Sequence, residues 1–323
     1  MCCVCGSADA APYVVTPDRL EGQPGLFTFV RCRRCGHVYL SPRPSAEALG
    51  KLYTAEYAAY TGPIEDEPRR FVRWNRAYGL AKRCRLVTSR RRPGRLLDVG
   101  CGTGVFLDAM RRRGWTVQGV EPTGAALAVA RGRFGLDVFE GELADAAFPD
   151  ASFDAVTLWY VIEHVPDPAA LLAEVARVLR PGGIAVVSAP NLDAADRVIF
   201  GSRWPNWDPP RHLNIFSARS LGFLMKRHGL EPLSARSMQN TWLGLALGLQ
   251  YVWEELRGIK PTAAYRQRRK WDAALAMQPL RVLLLPWIWL VDRLGLGTML
   301  VVTARRAGAP PAAAASPTAG RRP

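Results

Sequence analysis

The stretch LLDVGCGTGVFL, from Leu96 to Leu107, has glycines at alternate positions directly after a run of strand-forming residues. These are Gly100, Gly102 and Gly104. Because glycine has no Cβ atom, the backbone can approach a ligand closely, and the start of the following helix offers unpaired N–H groups. A dinucleotide-binding turn has glycines at its first, third and sixth positions, whereas here they fall at the first, third and fifth. The stretch predicts a strand–turn–helix unit that holds a ligand against bare backbone.

Strand and helix signals alternate on both sides of this turn. The predicted strands are RLLDVG, WTVQGVEP, LDVFEG, part of FDAVTLWYVIEH, IAVVSAP, EPLSARSM and TMLVVTAR. The predicted helices between them include GVFLDAMRRRG, GAALAVARGRFG and PAALLAEVARVLRPGG, the last stopped by its Pro-Gly-Gly. Such alternation indicates a mostly parallel sheet with helices on both faces, and ligands then bind at the carboxyl ends of the strands.

The next acidic residue after the turn is Glu121, which ends the second predicted strand. A carboxylate at this point can accept hydrogen bonds from both hydroxyls of a ribose. The alternative is that Glu121 only caps the next helix, since Pro122 follows it.

Four ordered motifs resemble those of the class I S-adenosylmethionine-dependent methyltransferases. They are LLDVGCGTG, VQGVEP, FDAVTLWYVIEHVPDP and VLRPGGIAVVSAPN. The resemblance covers roughly residues 93 to 240 and a last strand near 299 to 306. EHVPDP is typical of the branch with ubiquinone-biosynthesis O-methyltransferases and many methyltransferases of bacterial glycan and natural-product clusters. The resemblance implies an α/β fold with a Rossmann-like, seven-stranded, mostly parallel sheet, a methyltransferase activity and S-adenosyl-L-methionine as cofactor.

The resemblance also implies a cofactor-binding role for a set of residues: Asp98, Gly100, Gly102, Gly104, Glu121, Glu142, Leu143 and Trp159. The aspartate and the two outer glycines would line the methionine end, and the middle glycine would permit the tight turn. Glu121 would hold the ribose. Glu142 and Leu143, in the segment GELAD, would flank the adenine, and Trp159 would close over the cofactor.

Two histidines are candidates for catalysis. A sulfonium methyl is already activated, so alignment of the acceptor can contribute about 7–11 kcal/mol, but a hydroxyl acceptor also needs a general base. His164 in EHVPDP and His212 in PPRHLNIFS are the candidate bases. The alternatives are a structural role for His164 at the start of the next helix and a loop hydrogen bond for His212.

Two matched cysteine pairs open the chain. Cys2 and Cys5, and Cys32 and Cys35, each form a C-x-x-C-G pattern that can place two thiolates on one tetrahedral Zn²⁺. Cys3 is predicted to be the spare thiol. Four cysteine ligands leave no open position, so the predicted zinc is structural.

These features divide the chain into four predicted segments. They are a zinc-ribbon-like module (1–45), a basic helical linker (46–92), the methyltransferase domain (93–306) with a helical, Trp-rich insertion at about 241–298, and a disordered tail (307–323). The insertion holds half of the tryptophans: Trp242, Trp253, Trp271, Trp287 and Trp289. Its apolar runs are too short to span a bilayer. They form either a lid over an acceptor pocket or a peripheral contact with a membrane interface.

The basic linker has three interpretations: a solvated helix face, phosphate contact on a small substrate, or RNA binding. RNA binding uses aromatic side chains that stack on bases. Phe71, Trp74 and Tyr78 recur here at i, i+3, i+7, the spacing of a buried stripe. Because the Trp-rich insertion suggests an apolar or bulky acceptor, we favour a small or carrier-linked acceptor, methylated at oxygen in glycan, lipid or secondary metabolism. An RNA methyltransferase is the alternative. A third possibility, a protein that binds without catalysis, is opposed by the intact glycines and Glu121.

The overall charge and the N-terminus bear on partners and location. The formal net charge of +15 fits either an Arg-rich composition or an anionic partner. MCCVCGS has neither a basic start nor an apolar core, so we expect a cytoplasmic protein, with contact to a membrane surface as the alternative.

Overall fold

The computed structural model describes residues 1–52, 62–238, 241–259 and 277–308. Trp271 of the insertion and residues 309–323 of the predicted tail lie outside the described residues. The strands are, in chain order, β1 (Ala10–Thr16), β2 (Phe27–Cys32), β3 (Val38–Leu40), β4 (Arg95–Val99), β5 (Thr116–Glu121), β6 (Val138–Glu140), β7 (Phe153–Trp159), β8 (Leu179–Pro190), β9 (Asn214–Ile215), β10 (Leu230–Ser237) and β11 (Met299–Arg306). The α-helices are α1 (Ala46–Gly50), α2 (Arg70–Thr88), α3 (Val105–Arg111), α4 (Gly124–Phe134), α5 (Pro168–Val178), α6 (Ala195–Phe200), α7 (Ala218–Arg227), α8 (Thr241–Leu256) and α9 (Gln278–Arg293).

The large sheet has the predicted seven strands, in the order β10-β11-β8-β7-β4-β5-β6. Strand β11 is antiparallel to both of its neighbours, and the pairs from β8 to β6 are parallel. Leu96 and Leu97 of β4 are fully buried because helices cover both faces of the sheet. The Rossmann-like fold and the helical insertion before the last strand are confirmed.

One predicted helix end is wrong. Helix α5 ends at Val178, and β8 begins at Leu179, before the Pro-Gly-Gly that was expected to stop the helix. Leu179 pairs with Phe153, and a register irregularity separates this pair from the regular ladder that starts at Ile184. The Pro-Gly-Gly therefore forms an irregularity in a strand.

A second, four-stranded sheet has the order β1-β2-β3-β9. Its strand β9 comes from a distant part of the chain: Val38 pairs with Ile215 and Tyr39 with Asn214. The two parts are also joined by the fully buried Arg211, whose guanidinium donates to Asp18 at 2.7 Å and to Asp208. The cysteine-rich segment thus shares a sheet and a buried ion pair with the loop around Arg211.

Among the described helices, none combines the length and the apolar character that crossing a membrane requires.

Candidate functional site

The glycine turn joins β4 to α3 at the carboxyl edge of the large sheet. All three glycines have positive φ angles, and Gly104 is the N-cap of α3 in the left-handed conformation, with φ at 78°. The amide of Gly100 donates to the carbonyl of Val120 at 2.8 Å, which fixes the turn against β5. A Cβ atom on Gly104 would lie 2.4 Å from Cδ1 of Leu136, whereas one on Gly102 would meet nothing within 4 Å. The middle glycine therefore faces open space, and Gly104 packs tightly against the protein.

Glu121 ends β5 as predicted, and its carboxylate is held by two backbone amides. Gly102 donates to one oxygen at 2.8 Å and Thr123 to the other at 3.0 Å. The side chain is 4% exposed yet lines the cavity described below. Glu121 thus connects the glycine turn to the start of α4, and helix capping is one part of its role.

Asp98 lies in β4 beside the turn and is 2% exposed. Burial raises the pKa of Asp98 to about 7, while a hydrogen bond from the Thr157 hydroxyl at 2.5 Å and the charge of Arg83 act in the opposite direction. The carboxylate therefore titrates near neutral pH, and a cation placed beside it would favour its ionised form.

A cavity of about 1400 Å³ opens over this edge of the sheet. A pocket for one drug-sized ligand measures about 300–1,000 Å³, so this cavity has room for two molecules. It brings together most of the predicted site residues: Asp98, Gly100, Gly102, Glu121, Glu142, Leu143, Trp159 and His164. Gly104 and His212 are not among its lining residues.

The residues predicted to flank the adenine and to cover the cofactor differ in burial. Leu143 is 3% exposed and Trp159 is 7% exposed, whereas Glu142 is exposed. The Trp159 ring stands edge-on to Phe106 at 5.4 Å, and the guanidinium of Arg83 lies 5.4 Å from the Trp159 ring centroid. This packing fixes the indole in place at the end of β7.

The two candidate histidines contact each other, with ring centroids 4.8 Å apart. The Nδ1–H of His164 donates to the carbonyl of Arg211 at 3.1 Å, and that of His212 donates to the carbonyl of Asn206 at 2.8 Å. Because a carbonyl only accepts, Nε2 carries the lone pair in both neutral rings. Burial lowers the pKa of both, that of His164 to about 3. His164 is therefore a neutral imidazole at the cavity wall, and His212 packs behind it.

Glu163 is a buried neighbour of these rings that sequence reasoning missed. Burial raises the pKa of Glu163 to about 8, and one carboxyl oxygen has no hydrogen-bond partner within the described residues. Ligand atoms of Glu163, His164 and His212 lie within 4.8 Å of one another. Its backbone carbonyl accepts from Leu213 at 2.7 Å, so Glu163 ties the EHVPDP segment to the loop of His212.

The four predicted cysteine ligands are brought together by β2, β3 and the N-terminal turn. Sγ of Cys2 is 3.5 Å from Sγ of Cys35, and Sγ of Cys5 is 3.6 Å from Sγ of Cys32. Zinc with Zn–S bonds of about 2.3 Å separates its sulfurs by about 3.8 Å, so this spacing fits a tetrahedral zinc. Cys3 lies apart, with its Sγ 3.4 Å from Nε2 of His37.

The aromatic stripe of the basic helix α2 does not form part of the core, and the prediction of a buried stripe is wrong. Phe71, Trp74 and Tyr78 are 41%, 60% and 51% exposed. Phe71 and Tyr78 line the cavity, and Tyr78 stacks on Trp74 with ring centroids 5.7 Å apart. Periodicity alone cannot distinguish a stripe that faces a core from one that faces a cavity.

The opposite wall of the cavity comes from the insertion, where sequence reasoning named no site residue. Helix α9 contributes Gln278, Arg281, Leu285, Ile288, Trp289 and Asp292, which recur at helical spacing on one face. The fold thus places a cofactor-type turn, a neutral histidine and two helix faces around one space.

Comparison with known proteins agrees with this architecture. A sequence profile for the methyltransferase domain matches residues 71–235. A probable S-adenosylmethionine-dependent methyltransferase of Mycolicibacterium smegmatis is 39% identical over 127 residues, which cover 39% of this chain and 46% of that protein. A ubiquinone biosynthesis O-methyltransferase of Alkalilimnicola ehrlichii is 43% identical over 109 residues, 30% of this chain and 42% of that protein. A malonyl-[acyl-carrier protein] O-methyltransferase of Serratia marcescens is 37% identical over 126 residues, 38% of this chain and 49% of that protein. The aligned parts span less than half the length of these curated relatives.

Solved structures support the fold. The [4+2]-cyclase SpnF superposes with a TM-score of 0.53 at 23% identity, covering 83% of this chain and 98% of that one. Geranyl diphosphate C-methyltransferase from Streptomyces coelicolor has a TM-score of 0.51 at 18% identity, covering 82% of this chain and all of the other. These likenesses concern the fold alone. The family follows from the sequence profile, which spans half of the chain: this protein belongs to the methyltransferase domain family.

Proposed function

We propose that this protein transfers the methyl group of S-adenosylmethionine to the oxygen of a small or carrier-linked acceptor. The observation that carries the proposal is the shared cavity, which runs from the glycine turn and Glu121 past His164 to the helices α2 and α9. Its volume of about 1400 Å³ suits a cofactor and an acceptor side by side. The names of the relatives, which concern ubiquinone biosynthesis and an acyl-carrier protein, are consistent with small or carrier-linked acceptors.

In this proposal the cofactor end of the cavity is formed by the residues around the turn. A side chain at position 102 would protrude into the cavity, and Gly102 leaves that space open. Glu121 presents a fixed carboxylate that can accept hydrogen bonds from the ribose hydroxyls of the cofactor. Asp98 supplies a carboxylate for a cationic amino group, and Leu143 and Trp159 supply apolar walls. When bound, S-adenosylmethionine supplies a methyl group that its sulfonium already activates.

His164 is proposed as the general base for the acceptor. It lines the cavity, and its Nδ1–H is fixed by the carbonyl of Arg211, so the lone pair on Nε2 is the one that can receive a proton. His212 is proposed as a positioning residue, since it contacts the His164 ring without lining the cavity. We expect His164→Asn to lower kcat with little change in cofactor affinity, once an acceptor is known.

The four N-terminal cysteines are proposed to hold a structural zinc ion. Their sulfur–sulfur distances of 3.5 and 3.6 Å support this, as does the chemistry of a four-thiolate set. The ion would stabilise the segment that carries β1, β2 and β3, and would take no part in methyl transfer.

The insertion is proposed to act first as a wall of the acceptor pocket, because one face of α9 lines the cavity. The outer face of α9 is apolar and solvent-exposed at Val282, Leu283 and Leu290. The alternative, a peripheral membrane contact through that face, is tested by flotation with anionic vesicles. Absence of the protein from the vesicle fraction at low salt would eliminate it.

One observation favours a second candidate, an RNA acceptor. Trp74 and Tyr78 are exposed and stacked on each other beside the cationic residues of α2. Proteins that bind single-stranded RNA combine exposed aromatic rings and positive charges in this way. RNA that copurifies at low salt and is released at high salt would support this candidate. A purified protein free of nucleic acid at both salt concentrations would oppose it.

Calorimetric titration with S-adenosylhomocysteine tests the main proposal. We expect the wild type to bind S-adenosylhomocysteine and Glu121→Gln to bind it at least 10-fold more weakly. The variant loses the charged carboxylate that accepts hydrogen bonds from two backbone amides. Glu140→Gln, at the exposed end of β6, is the matched control and should bind as the wild type does. Absence of binding at millimolar ligand, with the fold verified by circular dichroism, would rule the proposal out.

A further inference from the structure

Helices α2 and α9 both line the part of the cavity away from the glycine turn. At one end, the guanidinium of Arg281 lies 5.6 Å from the Phe71 ring centroid and donates to the Asn75 side chain at 3.3 Å. At the other end, the charge of Lys82 acts on Asp292. Residue numbers therefore increase in the same direction along both helices, and the two cavity faces form one elongated groove.

Charge is segregated between the two halves of the cavity. The half around the turn carries the carboxylates of Asp98, Glu121 and Glu142, with Arg83 of α2 as the cation near Asp98. The groove between α2 and α9 carries mostly cations: Arg76, Lys82 and Arg281, with Asp292 as the acid. A cationic cofactor and an anionic acceptor would each meet the opposite charge in such a cavity.

The three cationic side chains of the groove differ in how far nearby acidic residues neutralise their charge. Burial lowers the pKa of Arg76, while the charges of Glu67 and Glu65 act to raise it. Burial raises the pKa of Asp292, while the charge of Lys82 acts to lower it. Arg281 forms no salt bridge within the described residues, and its half-buried guanidinium is placed against an aromatic ring and an amide oxygen. A planar guanidinium in this position can form two parallel hydrogen bonds to a phosphate or a carboxylate.

The rest of the groove is apolar. Phe71 from α2, Trp242 from α8, and Leu285, Ile288 and Trp289 from α9 line it. Phe71 and Trp289 are 41% and 59% exposed, so large apolar surfaces are available to a ligand there. An acceptor that is only an anion would leave these surfaces in water, and one that is only apolar would leave Arg281 without a counter-ion.

We propose that the acceptor is an anionic amphiphile that lies in the groove between α2 and α9, with a phosphate or carboxylate on Arg281 and an apolar chain or ring against Phe71, Leu285 and Trp289. This inference rests on the proposed function, because it places the acceptor beside the cofactor in one cavity. It narrows the acceptor class from any small or carrier-linked molecule to one with both a negative charge and an apolar portion.

The test uses three eight-carbon probes, octyl phosphate, octanoate and octanol, titrated into the full-length protein with and without saturating S-adenosylhomocysteine. Octyl phosphate should bind at least 10-fold more tightly than octanol. Arg281→Gln should weaken its binding about 10- to 100-fold, the range for a lost charged hydrogen bond, and leave octanol unaffected. Comparison with octanoate identifies which anion the groove prefers.

Arg257→Gln is the matched control, since it also removes one arginine that lies over an aromatic ring, here that of Trp253, outside the cavity. Equal binding of octyl phosphate and octanol, or equal effects of Arg281→Gln and Arg257→Gln, would overturn the inference while binding of S-adenosylhomocysteine leaves the proposed function intact. Tighter binding of a short oligouridine in competition with octyl phosphate would also overturn it, in favour of RNA. If S-adenosylhomocysteine fails to bind but Arg281-dependent binding of octyl phosphate persists, the groove assignment stands and the proposed function fails.

Discussion

Alanine at Gly102 should impair ligand binding, whereas alanine at Gly104 should impair folding. Both residues have left-handed backbone angles, with φ at 54° and 78°. Placing alanine in this conformation costs about 1–2 kcal/mol. At Gly102 this is the whole cost to stability, because the new Cβ would meet nothing within 4 Å.

At Gly104 a packing cost is added. The new Cβ would lie 2.4 Å from Cδ1 of Leu136 and 3.1 Å from Cβ of Ala130. Leu136 is 6% exposed and Ala130 is fully buried, so neither can move into solvent. Overpacking of a core costs about 1–3 kcal/mol, which brings the expected loss for Gly104→Ala to about 2–5 kcal/mol.

Urea unfolding followed by circular dichroism measures the stabilities, and calorimetry measures affinity for S-adenosylhomocysteine. We expect Gly102→Ala to lose about 1–2 kcal/mol of stability and at least a factor of 10 in affinity, since its methyl group protrudes into the cavity. Gly104→Ala should lose more stability, and its folded fraction should retain binding better than Gly102→Ala does. Unchanged affinity in Gly102→Ala, or equal stabilities of the two variants, would refute the conclusion that Gly102 faces the ligand and Gly104 faces the core.

Three further predictions address other parts of the protein. Cys35→Ser should lower the zinc content, measured by inductively coupled plasma mass spectrometry, from one ion per chain towards zero, whereas Cys3→Ser should retain the ion. Arg211→Met should lower the free energy of unfolding by about 3–5 kcal/mol because it leaves two carboxylates without their buried cation; Arg203→Gln, which breaks an exposed pair, should cost less than about 1 kcal/mol. Since burial raises the pKa of Asp98 to about 7 and a cationic amino group favours the ionised carboxylate, affinity for S-adenosylhomocysteine should increase from pH 6 to pH 8 and level off above. Asp98→Asn should abolish that dependence, and a wild-type affinity that is flat or falls over this range would contradict the role of Asp98.

The features of the fold and of the candidate site that depend on local sequence could be predicted. The glycine turn, the acid at the end of β5 and the alternation of strands and helices depend on residues close together in the chain, and the structure has them where the patterns indicate. The approach of the two C-x-x-C pairs was also predictable, because their matched spacing is the pattern of a four-cysteine zinc site, which requires the two pairs to meet.

The features that depend on contacts between residues far apart in the sequence could not be predicted. Asp18 and Arg211 are 193 residues apart, and no local pattern links them. The pairing of Tyr39 with Asn214 is equally remote. For α2, the spacing of Phe71 and Tyr78 correctly predicts one helix face, but what that face contacts depends on α9, which comes about 200 residues later. The burial of Glu163 likewise requires the loop around His212 to be in place.

The four-stranded sheet also constrains the order in which a growing chain can fold. Its first three strands are synthesised before β4 to β8, and β9 is synthesised only after them. Until then β3 has an unpaired edge, and Asp18 lacks the guanidinium that neutralises it. During translation the segment of β1 to β3 must therefore wait for five strands of the larger sheet, and binding of the proposed zinc ion would be the first event that could stabilise it.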